Sequence, residues 1–441
     1  MMIHWQTQAT DSLNGSIKVP GDKSISHRSI MLGAIAEGRT EITGFLAGED
    51  CIATRNAFAA MGVSIRDVGE TMVVDGVGLH GLKAPPAAID VGNSGTGMRL
   101  LAGVLAGQAF ASVLVGDASL MARPMQRVAK PLSAMGADIQ TEANGCAPIR
   151  IKPAGHLHAI HYRQPVASAQ VKSALLLAGL YAEGETVISE PGISRDHSER
   201  MLRHFGYAVE RQKDSRRVIT KLVGGGRLTA TNINVPADIS SAAFFLVAGA
   251  IAAKAEICIK QVGINPTRTG IIDILRLMGA DLTYSKNNQS DEPVADIIVK
   301  NARLKGIVVP KRLVPLAIDE FPVIFIAAAC AEGEFILRNA KELRVKESDR
   351  IAAMINGLTA LGVDCEELPD GVIIRGNPDN PFPRSAEINS LTDHRIAMAF
   401  AVAGLRADKG LLIKDCANAA TSFPHFIDLA KSIGLKINEV S

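Results

Sequence analysis

A helix that ends in an apolar residue, a glycine and a second apolar residue recurs six times in this 441-residue chain. The six are Met61-Gly62-Val63, Met135-Gly136-Ala137, Phe205-Gly206-Tyr207, Met278-Gly279-Ala280, Leu361-Gly362-Val363 and Ile433-Gly434-Leu435. Successive glycines lie 74, 70, 73, 83 and 72 residues apart. Each fits the residue just past a helix, where a left-handed backbone makes a Cβ costly. Leu132, Leu202, Leu275, Leu358 and Leu429 sit one turn upstream, on the face that meets a core. A second, small-residue-rich helix recurs in each unit, predicted at 26–37, 96–106, 168–183, 240–253, 320–332 and 393–403. Apolar residues surround these helices almost completely, so they are expected to be buried. β-branched stretches such as Ile149-Arg150-Ile151-Lys152 and Val372-Ile373-Ile374 supply strands between them. Units of this length are too long for a solenoid. Three per domain, each with one buried helix, predicts a two-domain α/β protein with its break near Asn232–Pro236. The longest interval contains the polar run 286–293, read as an exposed loop.

Composition narrows the function classes. A formal net charge of +2 gives no basic field for nucleic acid or an anionic membrane. Aromatic residues are 4%, too few for base-stacking platforms. The six cysteines are scattered without a CxxC pair, which suits a reducing, cytoplasmic compartment. The apolar run 242–253 is shorter than a membrane span. The N-terminus has no charged segment followed by an apolar one.

Polar clusters open the buried helices: Lys23-Ser24, Asn93-Ser94-Gly95-Thr96, Ser168-Ala169-Gln170, Asp238-Ile239-Ser240, Asp319-Glu320 and Asp393-His394-Arg395. Helix capping accounts for the hydroxyls and carboxylates. It does not account for Lys23, Gln170 and Arg395 beside apolar runs. Helix N-termini carry unpaired N–H groups and partial positive charge, so these ends suit phosphate or carboxylate ligands. The stretch Pro20–Arg28 is the first of them; its plain alternative is a capped surface helix with solvated charges.

Lys346-Glu347-Ser348-Asp349-Arg350 is the densest charged cluster, able either to bind an anion and move a proton or to form a salt-bridged helix start. Arg123 precedes Pro124 and is held extended, able to project into a cleft. Asp319 precedes a wholly apolar helix; desolvation there could bring it toward a base's working range, and capping would also explain it. Asp196-His197 and Asp393-His394 suggest acid–base pairs, although single histidines are commonly structural. The His156, His158, His161 run lacks nearby cysteine or carboxylate, so no metal is expected. Neither Gly92–Gly97 nor Gly21-Asp22-Lys23-Ser24 is a nucleotide-binding glycine loop.

These motifs, in this order, resemble the 5-enolpyruvylshikimate-3-phosphate synthases, enolpyruvyl transferases of the shikimate pathway. The likeness rests on 20–28, 92–99, 123–125, 168–170, 343–350 and 393–398 and covers nearly the whole chain. It implies a two-domain inside-out α/β barrel of six βαβαββ repeats, three per domain, joined by a double crossover. The domains would be 21–235, and 1–20 plus 236–441, with the active site in the cleft between them. The implied reaction transfers the enolpyruvyl group of phosphoenolpyruvate to the 5-hydroxyl of shikimate 3-phosphate and releases phosphate. Carried over by motif, Lys23, Ser24, Arg28, Ser168, Ala169, Gln170, Arg195, Asp319 and Lys346 would bind shikimate 3-phosphate. Lys23, Gly95, Arg123, Gln170, Arg350 and Arg395 would hold phosphoenolpyruvate. Asp319 would accept the hydroxyl proton, and Glu347 would move a proton to and from the methylene carbon with Lys23 assisting. No metal or organic cofactor is implied, and the expected partners are the two small substrates, with no nucleic acid, no membrane and a monomeric chain.

Two departures mark the subgroup often called class II, some of whose members resist glyphosate. Ala169 stands where many members have serine, and the segment Asn418–Pro424 lacks a lysine that many carry before Phe-Pro. Tolerance in that subgroup goes with alanine at the position of Gly95, so strong resistance is not expected here. Two alternatives stand beside this reading. One is an enolpyruvyl transferase acting on UDP-N-acetylglucosamine, which would use a loop cysteine; Cys51 and Cys146 lack that context. The other is a non-catalytic sugar-phosphate binding protein.

Overall fold

The computed structural model describes residues 3–214, 217–287 and 292–440. The chain divides into two compact units, residues 21–235, and residues 1–20 with 236–441. Each unit has its own continuous apolar core.

Each repeat is a short strand, a buried helix, a parallel second strand, an outer helix and two antiparallel strands. In the second repeat Ile89 pairs in parallel with Leu114, and Leu114 pairs antiparallel with Ile149. The central helix Gly95–Ala106 and the outer helix Gln126–Ala134 fill the two connections. Described residues form six such sheets. Three repeats borrow strands from distant sequence. Ile233–Asn234 completes the first repeat by pairing with Ile42 and Thr43. In the other unit Ser12–Ile17 pairs in parallel with Lys254–Gly263, and His4–Gln8 lies between Leu411–Lys414 and Lys436–Val440. The fifth sheet has three strands, with the Val308–Ile336 bridge in place of the first.

The six central helices are Lys23–Ile35, Gly95–Ala106, Ala169–Gly179, Ile239–Ile251, Phe321–Ala329 and His394–Ala403. They are buried almost all round, with the sheets outside them, so each unit is an α/β barrel turned inside out. Small residues permit this: a Cβ on Gly103 would lie 2.3 Å from the Ala174 carbonyl oxygen of the neighbouring central helix. The first central helix begins at Lys23, three residues before the expected Ser26, because Asp22 caps it by accepting from the Ile25 N–H at 2.9 Å.

The recurring glycines close the outer helices. All six have positive φ, between 78° and 104°. At each, the glycine N–H bonds back three residues, and the next N–H bonds back five. Gly136 to Ser133 and Ala137 to Leu132 show the pattern, and Gly279 to Arg276 and Ala280 to Leu275 repeat it. These are Schellman caps, which satisfy carbonyls that a helix end leaves open. In the sixth repeat the acceptor five residues back is Ala430, and Leu429 packs half-buried against the core. Part of the expected 286–293 loop is strand: 286 and 287 belong to Asp281–Asn287, and 288–291 lie outside the described residues.

Candidate active site

In the unit 21–235, the three central helices bring their N-termini together. Ser94 and Ser168 cap the second and third helices, accepting from the Gly97 and Val171 N–H groups. The His27 ring lies 2.8 Å from Thr54 Oγ1 and 3.4 Å from Ser94 Oγ. Gln170 Nε2 donates to Thr96 Oγ1 at 3.0 Å, and Gln170 Oε1 accepts from Arg99 Nη1 at 2.8 Å. Lys23, the first helical residue, ion-pairs with the buried Asp50. Arg28 is buried and braced on three sides: Nε donates to Ser198 at 2.7 Å, Nη2 to Ser173 at 2.9 Å, and Nη1 to the Ser24 carbonyl at 2.9 Å. Burial holds the His27 pKa well below its usual value, and the Lys23 and Arg28 charges lower it further. His27 is therefore a neutral strut at a cationic helix end.

Arg123 comes after the strand Ser112–Val115 and the short helix Ala118–Met121. Its Nη2 donates to Asn93 Oδ1 at 2.6 Å and to Ser119 Oγ at 3.2 Å. A Cβ on Gly95 would lie 3.0 Å from Arg99 Nη1 and 3.4 Å from Arg123 Nη1, so both guanidinium groups crowd the second helix start. Ser168 Oγ also accepts from Arg127 Nη2 at 3.2 Å. Ala169 offers only its backbone at the first position of the third central helix. Arg195 is half-buried, two residues before the helix His197–His204, and the adjacent Ser194 hydroxyl donates to Glu190 at 2.6 Å. Beneath this region Lys172 Nζ lies 2.8 Å from both Glu190 and Glu199, all three side chains fully buried.

In the other unit, the charges gather around Asp319. Its Oδ1 lies 3.2 Å from Lys346 Nζ and 3.5 Å from Arg350 Nη1. Lys346 also pairs with Glu342 at 2.9 Å. Burial works to lower the Lys346 pKa, but the Asp319 and Glu342 carboxylates outweigh it and hold the pKa above its usual range. Arg350, 1% exposed, donates from Nε to Asp393 at 2.8 Å and from Nη2 to Glu347 at 2.6 Å. Burial opposes its charge too, yet Asp393 and Glu347 keep it firmly protonated. Asp393 is fully buried, caps the sixth central helix through the Arg395 N–H, and accepts from Ser348 at 2.9 Å. Burial would raise its pKa; the Arg350 guanidinium reverses this and holds it below the usual carboxylate value. Arg395 Nη1 donates to the Asp319 carbonyl at 2.8 Å. Asp319 thus has the burial expected of it, 15% exposed, with the Lys346 and Arg350 cations against its carboxylate.

Sequence reasoning gave no role to Asp50, Arg99, Arg127, Lys172 or Glu320. Lys172 carried a signal: a charge inside an apolar helix, two residues after Gln170, requires a buried partner. Asp50 and Arg127 gave none, since their partners are set by the tertiary fold. Among the described residues no group of three or more His, Cys, Asp or Glu is placed to hold a metal ion. Asn418, in the segment without the lysine, donates to the Thr392 carbonyl at 2.7 Å. No helix of the described residues is long and apolar enough to cross a membrane.

Comparison with known proteins places the chain in a family. The family model described as EPSP synthase (3-phosphoshikimate 1-carboxyvinyltransferase) matches residues 7–429. A 3-phosphoshikimate 1-carboxyvinyltransferase of Hydrogenovibrio crunogenus is 56% identical over 441 residues, with 99% of each chain covered. One of Methylococcus capsulatus is 58% identical over 431 residues, with 97% of each covered. The solved EPSP synthase of Acinetobacter baumannii superposes with TM-score 0.89 at 53% identity, covering all of both chains. The enolpyruvyl transferase NikO of Streptomyces tendae shares the fold alone, with TM-score 0.80 at 16% identity over 100% of this chain and 99% of that one.

Proposed function

The chain belongs to the EPSP synthase family, and from that premise we propose a division of labour among its side chains. The reaction transfers the enolpyruvyl group of phosphoenolpyruvate to the 5-hydroxyl of shikimate 3-phosphate and releases phosphate. The observation that carries the assignment is the Asp319 carboxylate, flanked by Lys346 and Arg350 at 3.2 and 3.5 Å. In this reading the substrate oxygen forms a bond to C2 of phosphoenolpyruvate while its proton passes to Asp319. C3 takes a proton from the Glu347 side, with Lys23 assisting, and a tetrahedral intermediate results. Glu347 then removes a proton from C3, the C2–O bond to phosphate breaks, and the enolpyruvyl ether remains. General acid–base groups of this kind contribute roughly 10²- to 10⁴-fold each.

Binding follows the same logic. Ser24, Arg28, Ser168, Ala169, Gln170, Arg195 and Lys346 take shikimate 3-phosphate. Gly95, Arg123, Arg350 and Arg395 take phosphoenolpyruvate, and Lys23 and Gln170 touch both. Helix N-termini and fixed guanidinium groups suit these polyanions. The braces on Arg28 support this, since a guanidinium fixed by two serines and a carbonyl loses little freedom on meeting an anion. The reading takes the chain to act as a cytoplasmic monomer, which light scattering of the purified protein tests for the monomer.

The deciding experiment is phosphate release with both substrates for the wild type, Asp319→Asn and Glu347→Gln. Each variant is expected to lose about two or more orders of magnitude in kcat with modest changes in KM. Turnover near the wild type in either variant removes that residue from the chemistry. Running the same assay with UDP-N-acetylglucosamine as acceptor separates the related transferase, and a sugar-phosphate binder without chemistry releases no phosphate with either.

A further inference from the structure

We infer that Glu320 is a positioning residue for phosphoenolpyruvate: held by Ser240, which Arg268 braces in turn, it sets the orientation of the Arg395 guanidinium. The inference rests on the reading that Arg395 holds that substrate. Glu320 occupies the N-cap of the fifth central helix and is 2% exposed, yet its side chain makes no capping hydrogen bond. The other five central helices are all capped by the side chain at this position. A buried carboxylate that forgoes capping needs other partners. Its Oε1 accepts from the Ser240 hydroxyl, at the start of the fourth central helix, and lies 3.8 Å from Arg395 Nη1. Arg395 Nη1 in turn donates to the Asp319 carbonyl at 2.8 Å.

Behind Ser240 stands a second cation. Arg268 Nη2 donates to Ser240 Oγ at 2.6 Å and to Asp238 Oδ1 at 3.0 Å. Arg268, Ser240 and Asp238 are buried. The hydrogen bonds run one way, from Arg268 to Ser240 to Glu320, so the serine proton cannot turn toward another acceptor without leaving Glu320 short of a donor. Two cations, Arg268 and Arg395, and two carboxylates, Asp238 and Glu320, balance in charge. The Asp238 N–H donates to the Pro20 carbonyl at 2.9 Å, which ties this relay to both passages of chain between the units. Arg395 is thereby held by a hydrogen bond to the Asp319 carbonyl at 2.8 Å and by the Glu320 carboxylate facing it at 3.8 Å.

Glu320→Gln tests this, because the amide keeps an acceptor for Ser240 and nearly the same volume while removing the charge that faces Arg395. Steady-state kinetics against each substrate is the readout. The KM for phosphoenolpyruvate is expected to rise about tenfold, with kcat and the KM for shikimate 3-phosphate within about twofold of wild type. Ser240→Ala and Arg268→Lys are expected to move the same KM about threefold, and Glu320→Gln with Arg268→Lys to be no worse than Glu320→Gln alone. Arg395→Lys serves as the reference. If it raises the phosphoenolpyruvate KM and Glu320→Gln does not, the inference is overturned. It is also overturned if Glu320→Gln raises both KM values equally, the mark of a general structural defect. If Arg395→Lys leaves the phosphoenolpyruvate KM unchanged, the reading of Arg395 fails first. Should Glu320→Gln not fold, Ser240→Ala carries the same criteria.

Discussion

Replacing Lys172 with methionine leaves two carboxylates, Glu190 and Glu199, facing each other in a space that excludes water. The methionine fills most of the volume, so the loss is electrostatic rather than a cavity. Removing one partner of a buried ion pair costs about 3–5 kcal/mol. A unit of this size loses roughly 2–4 °C of Tm per kcal/mol, so the expected drop is about 6–20 °C. Scanning calorimetry of the whole chain measures it. The only tryptophan, Trp5, stacks on Phe426 in the other unit, so its fluorescence reports that unit separately. Burial pulls the Lys172 pKa down, but Glu199 and Glu190 overcome it and raise the pKa above the ordinary lysine value. The stabilisation is therefore complete below about pH 10.4 and is lost as pH rises through the folded-state value, so the deficit of the variant narrows in alkali. Adding Glu190→Gln and Glu199→Gln to Lys172→Met should recover part of the loss, because the unpaired charges are gone. A Tm change under about 2 °C for the single variant, or a triple variant no better than the single, refutes the argument from unpaired charge.

Three further outcomes are expected. Gly95→Ala places a methyl group against the tips of Arg99 and Arg123, at 3.0 and 3.4 Å, so the fold should survive. Its phosphoenolpyruvate KM should rise about tenfold, or ~1.4 kcal/mol, and an unchanged KM would show that neither arginine needs its present position. Gly136→Ala, at φ +95°, should destabilise by about 1–2 kcal/mol in urea unfolding, whereas Gly155→Ala, with open space around it, should stay within about 0.5 kcal/mol. His27, with its pKa depressed by burial and by Lys23 and Arg28, contributes stability that is present above about pH 6.5 and lost as pH falls. His27→Gln should flatten the fall in Tm between pH 7.5 and pH 5, and an equally steep fall would assign the acid sensitivity elsewhere.

The glycine caps were legible because an L side chain at positive φ is penalised whatever surrounds it, so the requirement is written locally at Gly62, Gly136 and their counterparts. The central helices were legible for a similar reason, since a run such as Phe321–Ala329 has no polar face to show to water. Where the first of them begins was not. Asp22, Ser24 and Ser26 are all competent caps, and only the fold selects Asp22. The candidate site was legible as a set of residue types at helix starts. Its wiring was not: Lys23 with Asp50, Ser240 with Glu320 and Arg350 with Asp393 join residues 27, 80 and 43 positions apart. No local rule encodes such pairings.

The strand His4–Gln8 has a consequence for how the protein is made. It sits between Leu411–Lys414 and Lys436–Val440, so Trp5 cannot meet Ile413 or Glu439 until more than four hundred further residues have been synthesised. At roughly 5–20 residues per second, His4–Gln8 waits on the order of 20–80 s for its partners. The stretch 21–235 is continuous and can condense during that wait, whereas the other unit must close a loop of some four hundred residues. Until it does, Lys436–Val440 has no neighbour in its sheet. The strands His4–Gln8 and Lys436–Val440 share one fate: a nascent chain that stalls before Leu411 carries His4–Gln8 with open edges, the form of polypeptide that chaperones recognise and that aggregates when they do not.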